Sequence, residues 1–84
     1  MNEIFDFNGT LVISSRIIAN ELGKLHKNII RDIEKILKNS TDSNLSSLII
    51  SSIYKDKKGE ERKEYLLTKD GFILYMFNIQ GYND

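Results

Sequence analysis

The chain has no cysteine and no proline, and only one histidine. Without cysteine there can be neither a disulfide framework nor a thiolate metal site, so packing must hold the fold, and a reducing compartment is permitted. Apolar runs are short. None approaches the roughly 18 residues that span a bilayer, and the opening MNEIFDFNG lacks the basic stretch and apolar core of an export signal. A cytoplasmic protein with no membrane association is expected. Asn39-Ser40-Thr41 fits the glycosylation pattern, but without export that match carries no meaning. With 84 residues, 40% of them hydrophobic, residues 1–84 are expected to form one domain around one modest core.

Net charge is also missing, since 12 basic residues balance 12 acidic ones. The balance conceals a segregation. Residues 14–39 carry six basic groups (Arg16, Lys24, Lys27, Arg31, Lys35, Lys38) against three acidic ones (Glu21, Asp32, Glu34). Residues 55–69 carry six basic against four acidic, and the remaining segments carry acids alone. Positive charge is therefore local, which is the form that attracts a polyanion.

What is present has clear punctuation. Asn8-Gly9 stands between two β-prone runs, which predicts a type I′ hairpin with strands near 3–7 and 10–13, because that turn needs positive φ at both central residues. SSRIIANELG predicts a helix of about two turns, capped by Ser14 or Ser15, with Ile17, Ile18, Ala19 and Leu22 on its apolar side and Gly23 as a left-handed stop. Ile29, Ile30, Ile33, Ile36 and Leu37 then recur at helical spacing over 27–38 and predict a second, strongly amphipathic helix. Measured against the common motif, Ile30 and Ile33, rather than Ile29 and Asp32, are the expected core contacts, which predicts a turn about one residue long between the helices. The segment NSTDSNLSS has no periodicity and predicts a surface loop. LIISSIY and RKEYLL, joined by KDKKG, predict a charged hairpin. A final helix begins near Thr68 as N-cap, with Asp70 in its first turn. From Phe72 to Ile79 only Asn78 is polar, so this helix is expected to be buried on every side or to meet another chain, here a second copy.

Two helices joined by a tight glycine turn and followed by a charged hairpin predict an α+β, winged helix-turn-helix-like domain. It would consist of an N-terminal β-hairpin, a two-helix unit, a charged β-hairpin wing and an apolar C-terminal helix. Lys27, Asn28, Arg31, Lys35 and Lys38 fall within about a third of the second helix's circumference, opposite the isoleucines. An ordinary solvated face would look the same. The position of the stripe beside the turn, where recognition helices present their side chains, favours double-stranded DNA. Asn28 can bond adenine and Arg31 guanine, while Lys24, Lys27, Lys35 and Lys38 suit phosphate. Arg16, and Lys57 and Lys58 of the wing, complete the candidate set, although the wing's alternating acids fit a solvated edge that blocks sheet aggregation equally well. Tyr54 and Tyr65 read as cross-strand or core aromatics.

His26 has three readings. Catalysis would need a nucleophile and an orienting carboxylate at recognisable positions, and metal binding would need further His or Cys ligands, which the sequence lacks. A turn-shaping role, or contact with phosphate, fits better. No cofactor is implied.

The run SSRIIANELGKLHKNIIRDI followed by SIYKDKKGEERKEYLLTKDGF resembles the phage regulatory protein Rha family over roughly residues 8–77. Ser15, Arg16, Gly23, Lys24, His26, Asn28, Arg31 and Asp32 carry the first block of likeness, and Leu67, Thr68, Lys69, Asp70, Gly71 and Phe72 the second. The resemblance implies a phage or prophage DNA-binding regulator related to antirepressor modules, without enzymatic activity, in a bacterial host cell. A repressor protein is the alternative partner to DNA.

Overall fold

The computed structural model describes residues 4–40 and 44–81. In chain order they form β1 (Ile4–Phe7), β2 (Thr10–Ser14), α1 (Ser15–Leu22), α2 (His26–Asn39), α3 (Leu45–Leu48), β3 (Ile49–Lys55), β4 (Glu61–Thr68) and α4 (Lys69–Gly81). Glu3, expected in the first strand, and Thr41, which closes the glycosylation pattern, lie outside the described residues.

Asn8 and Gly9 take φ values of 54° and 87°, so both centres of the first turn are left-handed as the sequence predicts. Asp6 Oδ1 accepts the Gly9 amide at 2.8 Å, and β1 and β2 pair from Phe7↔Thr10 to Ile4↔Ile13. Four antiparallel strands make one sheet in the order β1-β2-β4-β3. The class is α+β. β4 is interior to the sheet, pairing with β2 on one side and with all of β3 on the other. Its residues from Glu64 to Thr68 are all buried.

The core joins Leu67, Tyr65 and Ile49 of the sheet to Ile18 and Ala19 of α1, Ile29 and Ile33 of α2, and Tyr75 of α4. Ser14 caps α1, its hydroxyl accepting the Arg16 amide at 3.1 Å. α1 ends at Gly23, whose φ is 66°. There the Gly23 amide bonds Asn20 O and the Lys24 amide bonds Ala19 O, the paired closure that a left-handed glycine permits. Ala19 is buried at the point where α1 and α2 pack together. Its small side chain allows that approach.

Two expectations are corrected. The turn between α1 and α2 is three residues long (23–25), and α2 starts at His26. With that phase Ile29 and Ile33 are fully buried, and Ile30 packs at the core's margin. The segment expected to be a surface loop, 39–47, contributes to α3, because Leu45 and Leu48 are three residues apart and one helical turn directs both inward. Its residues 41–43 lie outside the described part. Of the two readings of α4, burial on every side does not hold within one chain. Tyr75 is buried, but Ile73 is 53% exposed and Phe77 76%.

α4 begins as the sequence predicts. Thr68 Oγ1 accepts the Gly71 amide at 3.1 Å and donates to Leu48 O at 3.3 Å, which ties the first turn of α4 to the end of α3. Among the described residues no helix is long and apolar enough to cross a membrane.

Candidate nucleic-acid interface

α2 divides sharply into two sides. Ile29 and Ile33 are at zero exposure, and Ile36 and Leu37 pack beside them. On the far side Lys27, Arg31, Lys35 and Lys38 are exposed and Asn28 is half-buried. At about 100° per residue these five lie within roughly 100° of arc. Lys24 stands exposed in the preceding turn. The amino end of α2 has no side-chain cap, because Leu25 occupies that position, and no acid lies in its first turn. Its unpaired amides therefore add to the positive field of Lys24 and Lys27.

Arg31 Nη2 donates to Asn28 Oδ1 at 2.9 Å across one turn of this face. Among the described residues neither Lys24, Lys27, Arg31 nor Lys38 has a carboxylate within ion-pair distance. Several other cations of the charged segments are neutralised. Arg62 bonds Asp56 and Glu60, Lys63 bonds Glu34 at 2.6 Å, and Arg16 bonds Glu64 at 3.1 Å. Lys63 draws the Glu34 carboxyl below its usual range by hydrogen bonding it. In the hairpin turn Asp56 Oδ1 accepts the Lys58 and Glu60 amides, which fixes the tip where Lys57 and Lys58 project into solvent.

Arg16 and His26 are placed differently from the stripe. The Arg16 guanidinium lies 4.1 Å from the centroid of the Tyr54 ring while its Nε bonds Glu64. Ser14 Oγ donates to the same Glu64 oxygen at 2.5 Å. His26 Nε2 sits 2.8 Å from Ser15 Oγ, and its ring meets Tyr54 edge-on at 5.9 Å. Ser15, at zero exposure, also accepts the Tyr65 amide at 2.9 Å. After accepting the Tyr65 amide, Ser15 Oγ keeps one hydrogen and one lone pair, so it can donate to an unprotonated Nε2 or accept from a protonated one. Burial holds the His26 pKa below its ordinary value, the Arg16 charge pushes the same way, and Glu64 opposes both. His26 is thus the first residue of α2 rather than part of the turn, and it bonds a side chain of α1.

This network joins the starts of α1 and α2 to the β3–β4 hairpin. Glu64 and the double role of Ser15 escaped the sequence reading. Glu64 looked like one more acid in a mixed-charge strand, and its partners lie 48 and 50 positions away. The local pattern of β4 gives no signal for that pairing.

The opposite flank of α2 borders an open groove of about 1050 Å³ toward α4, floored by Leu22, Ile36, Leu74 and Ile79, with Lys24 and Arg31 on its lining.

Comparison with known proteins decides the family. The family description for phage regulatory protein Rha matches residues 13–84. The chain belongs to the phage regulatory protein Rha family. Within the matched Rha region lie α1, α2, the hairpin and α4. A Bacillus subtilis (strain 168) protein named "SPbeta prophage-derived putative antirepressor protein YoqD" is 31% identical over 80 residues, 93% of this chain and 32% of the relative. An uncharacterized protein of Haemophilus influenzae (strain Rd) is 36% identical over 73 residues, 86% of this chain and 40% of that protein. This Rha-family chain thus spans about a third to two fifths of the length of these relatives. No solved structure matches it.

Proposed function

We propose that this chain is a phage or prophage transcriptional regulator that binds double-stranded DNA in the cytoplasm of a bacterial host. α1, the turn and α2 serve as a helix-turn-helix, with α2 in the major groove and the β3–β4 hairpin as a wing carrying Lys57 and Lys58 to phosphate. The observation that carries this reading is the set Lys24, Lys27, Arg31 and Lys38, which no carboxylate among the described residues neutralises, beside an uncapped helix end. In this reading Lys24, Lys27, Lys35 and Lys38 bind phosphate, and Asn28 and Arg31 face base edges. Arg16 and His26 act indirectly, by setting the position of the α2 amino end. The role is regulatory rather than catalytic, in keeping with the family's description. A second copy is the partner assigned to exposed Ile73 and Phe77 of α4, which would present two α2 helices to two half-sites.

The alternative is an antirepressor-type module that binds a repressor protein. It is favoured by the groove between α2 and α4 and by the name of the Bacillus relative. Salt separates the two. Replacing Lys24, Lys27 and Lys38 together by alanine should weaken binding to generic duplex DNA and flatten the log-log salt dependence by about 0.9 for each phosphate no longer neutralised. Fluorescence anisotropy over a range of salt concentrations reads this directly. An unchanged slope removes α2 from the interface.

A further inference from the structure

We propose that Asn28 and Arg31 form a single base-reading unit that selects a guanine next to an adenine on one DNA strand. The inference rests on the DNA-binding reading above and specifies its ligand. The hydrogen bond from Arg31 Nη2 to Asn28 Oδ1, at 2.9 Å on the exposed side of α2, is its basis.

Arginine has donors only, so the atom of Asn28 that faces it must be the carbonyl oxygen. The orientation of the amide is therefore settled by chemistry, with Nδ2 turned away from Arg31. Oδ1 keeps a second lone pair beside Nδ2, and that acceptor and donor together match N6–H and N7 of adenine. Nη2 carries two hydrogens, one on the side of Nε and one on the side of Nη1. Whichever it gives to Asn28, one complete two-pronged edge of the guanidinium remains, and that edge matches O6 and N7 of guanine. Both side chains thus stay competent for bidentate contact after bonding one another.

Spacing supports adjacent bases. Three residues advance the helix by about 4.5 Å, against a rise of about 3.4 Å between neighbouring base pairs. Asn28 and Arg31 are the third and sixth residues of α2, in the amino-terminal portion that a recognition helix brings to base edges. The bond also restrains two flexible side chains before DNA arrives, which lowers the ordering cost of binding. It makes the two contacts interdependent, because loss of either partner frees the other to adopt competing rotamers.

The test is selection of bound duplexes from a random pool by the wild-type chain and by its Asn28→Ala and Arg31→Lys variants, each checked for folding by circular dichroism. Wild type should enrich a G and A step. Arg31→Lys removes the two-pronged guanidinium edge, so preference for the guanine should fall roughly 5- to 150-fold. Preference for the neighbouring adenine should fall with it, and Asn28→Ala should likewise relax both positions. Duplex binding without any enriched step overturns the proposal and leaves the DNA-binding reading standing. An enriched step that survives either substitution, or variants that relax only their own base, also overturns it. Failure of wild type to bind any duplex at low salt overturns the DNA-binding reading together with this one.

Discussion

Gly71 shows how much a single position can constrain. A methyl group built there would collide with Leu48 O and lie 2.9 Å from its carbonyl carbon. Backbone, not a flexible side-chain tip, is in the way. The same Leu48 carbonyl accepts Thr68 Oγ1, and Thr68 Oγ1 accepts the Gly71 amide. A helix start in a TKDG sequence is thus pressed against the end of α3, and only a residue without Cβ permits it. Gly71→Ala is expected to destabilise the fold by about 1–3 kcal/mol, the cost of overpacking a tight site. Urea denaturation monitored by circular dichroism would register it as a lower midpoint. Tyr75 illustrates the opposite situation. It is buried, its hydroxyl has no hydrogen-bond partner among the described residues, and burial raises its pKa to about 12.

At the scale of elements, the amino end of α2 is fixed to α1 and to the hairpin by His26, and this attachment depends on pH. The imidazole's folded-state pKa lies below 6.5, chiefly through desolvation, so between that value and 6.5 the unfolded chain binds more protons. The stability it contributes is complete above pH 6.5 and is lost as pH falls toward the folded-state value. Arg16, Tyr54 and Glu64 are the groups facing the ring, and protonation places a second cation beside Arg16. Thermal melts from pH 7.5 to 5.5 should show a falling midpoint in wild type and a flatter profile in His26→Gln, where that titration is absent. A wild-type midpoint independent of pH over this range would contradict the assignment.

The elements differ in how far the sequence disclosed them. α2 was legible because its isoleucines repeat at helical spacing, and the first hairpin because Asn8 and Gly9 can both accept positive φ. The onset of α4 was legible because Thr68 is a cap. α3 was not, since a single turn has no period, and its formation depends on the inward placement of Leu45 and Leu48 within an assembled core. The error over Ile29 and Ile30 has a similar origin. The register of an amphipathic helix depends on where it starts, and α2 starts without a side-chain cap to mark the place. The stripe of Lys27, Asn28 and Arg31 could be read from the sequence as a face. Its freedom from neutralising acids could not, because Glu34 and Glu64 find their cations on other elements.

At the scale of the whole molecule, Ile73 and Phe77 lie one turn apart on the outer side of α4 and are mostly uncovered. A second copy across this face is expected to double the mass seen by light scattering relative to the 9.7 kDa chain, and Phe77→Asp is expected to return it to that of one chain. A wild-type mass of one chain at high concentration would remove the proposed dimer.

The sheet order also has a consequence for how the chain comes into being. β4 is the last strand made, yet it lies between β2 and β3. The β1–β2 hairpin emerges first and stays a marginal two-stranded ribbon, since its inner neighbour is still unsynthesised. β3 and β4 close locally across a short turn, and only then can Ser14 find Leu66. The pairing that completes the sheet thus joins residues more than 50 positions apart, and it carries the loop-closure cost of a non-local contact.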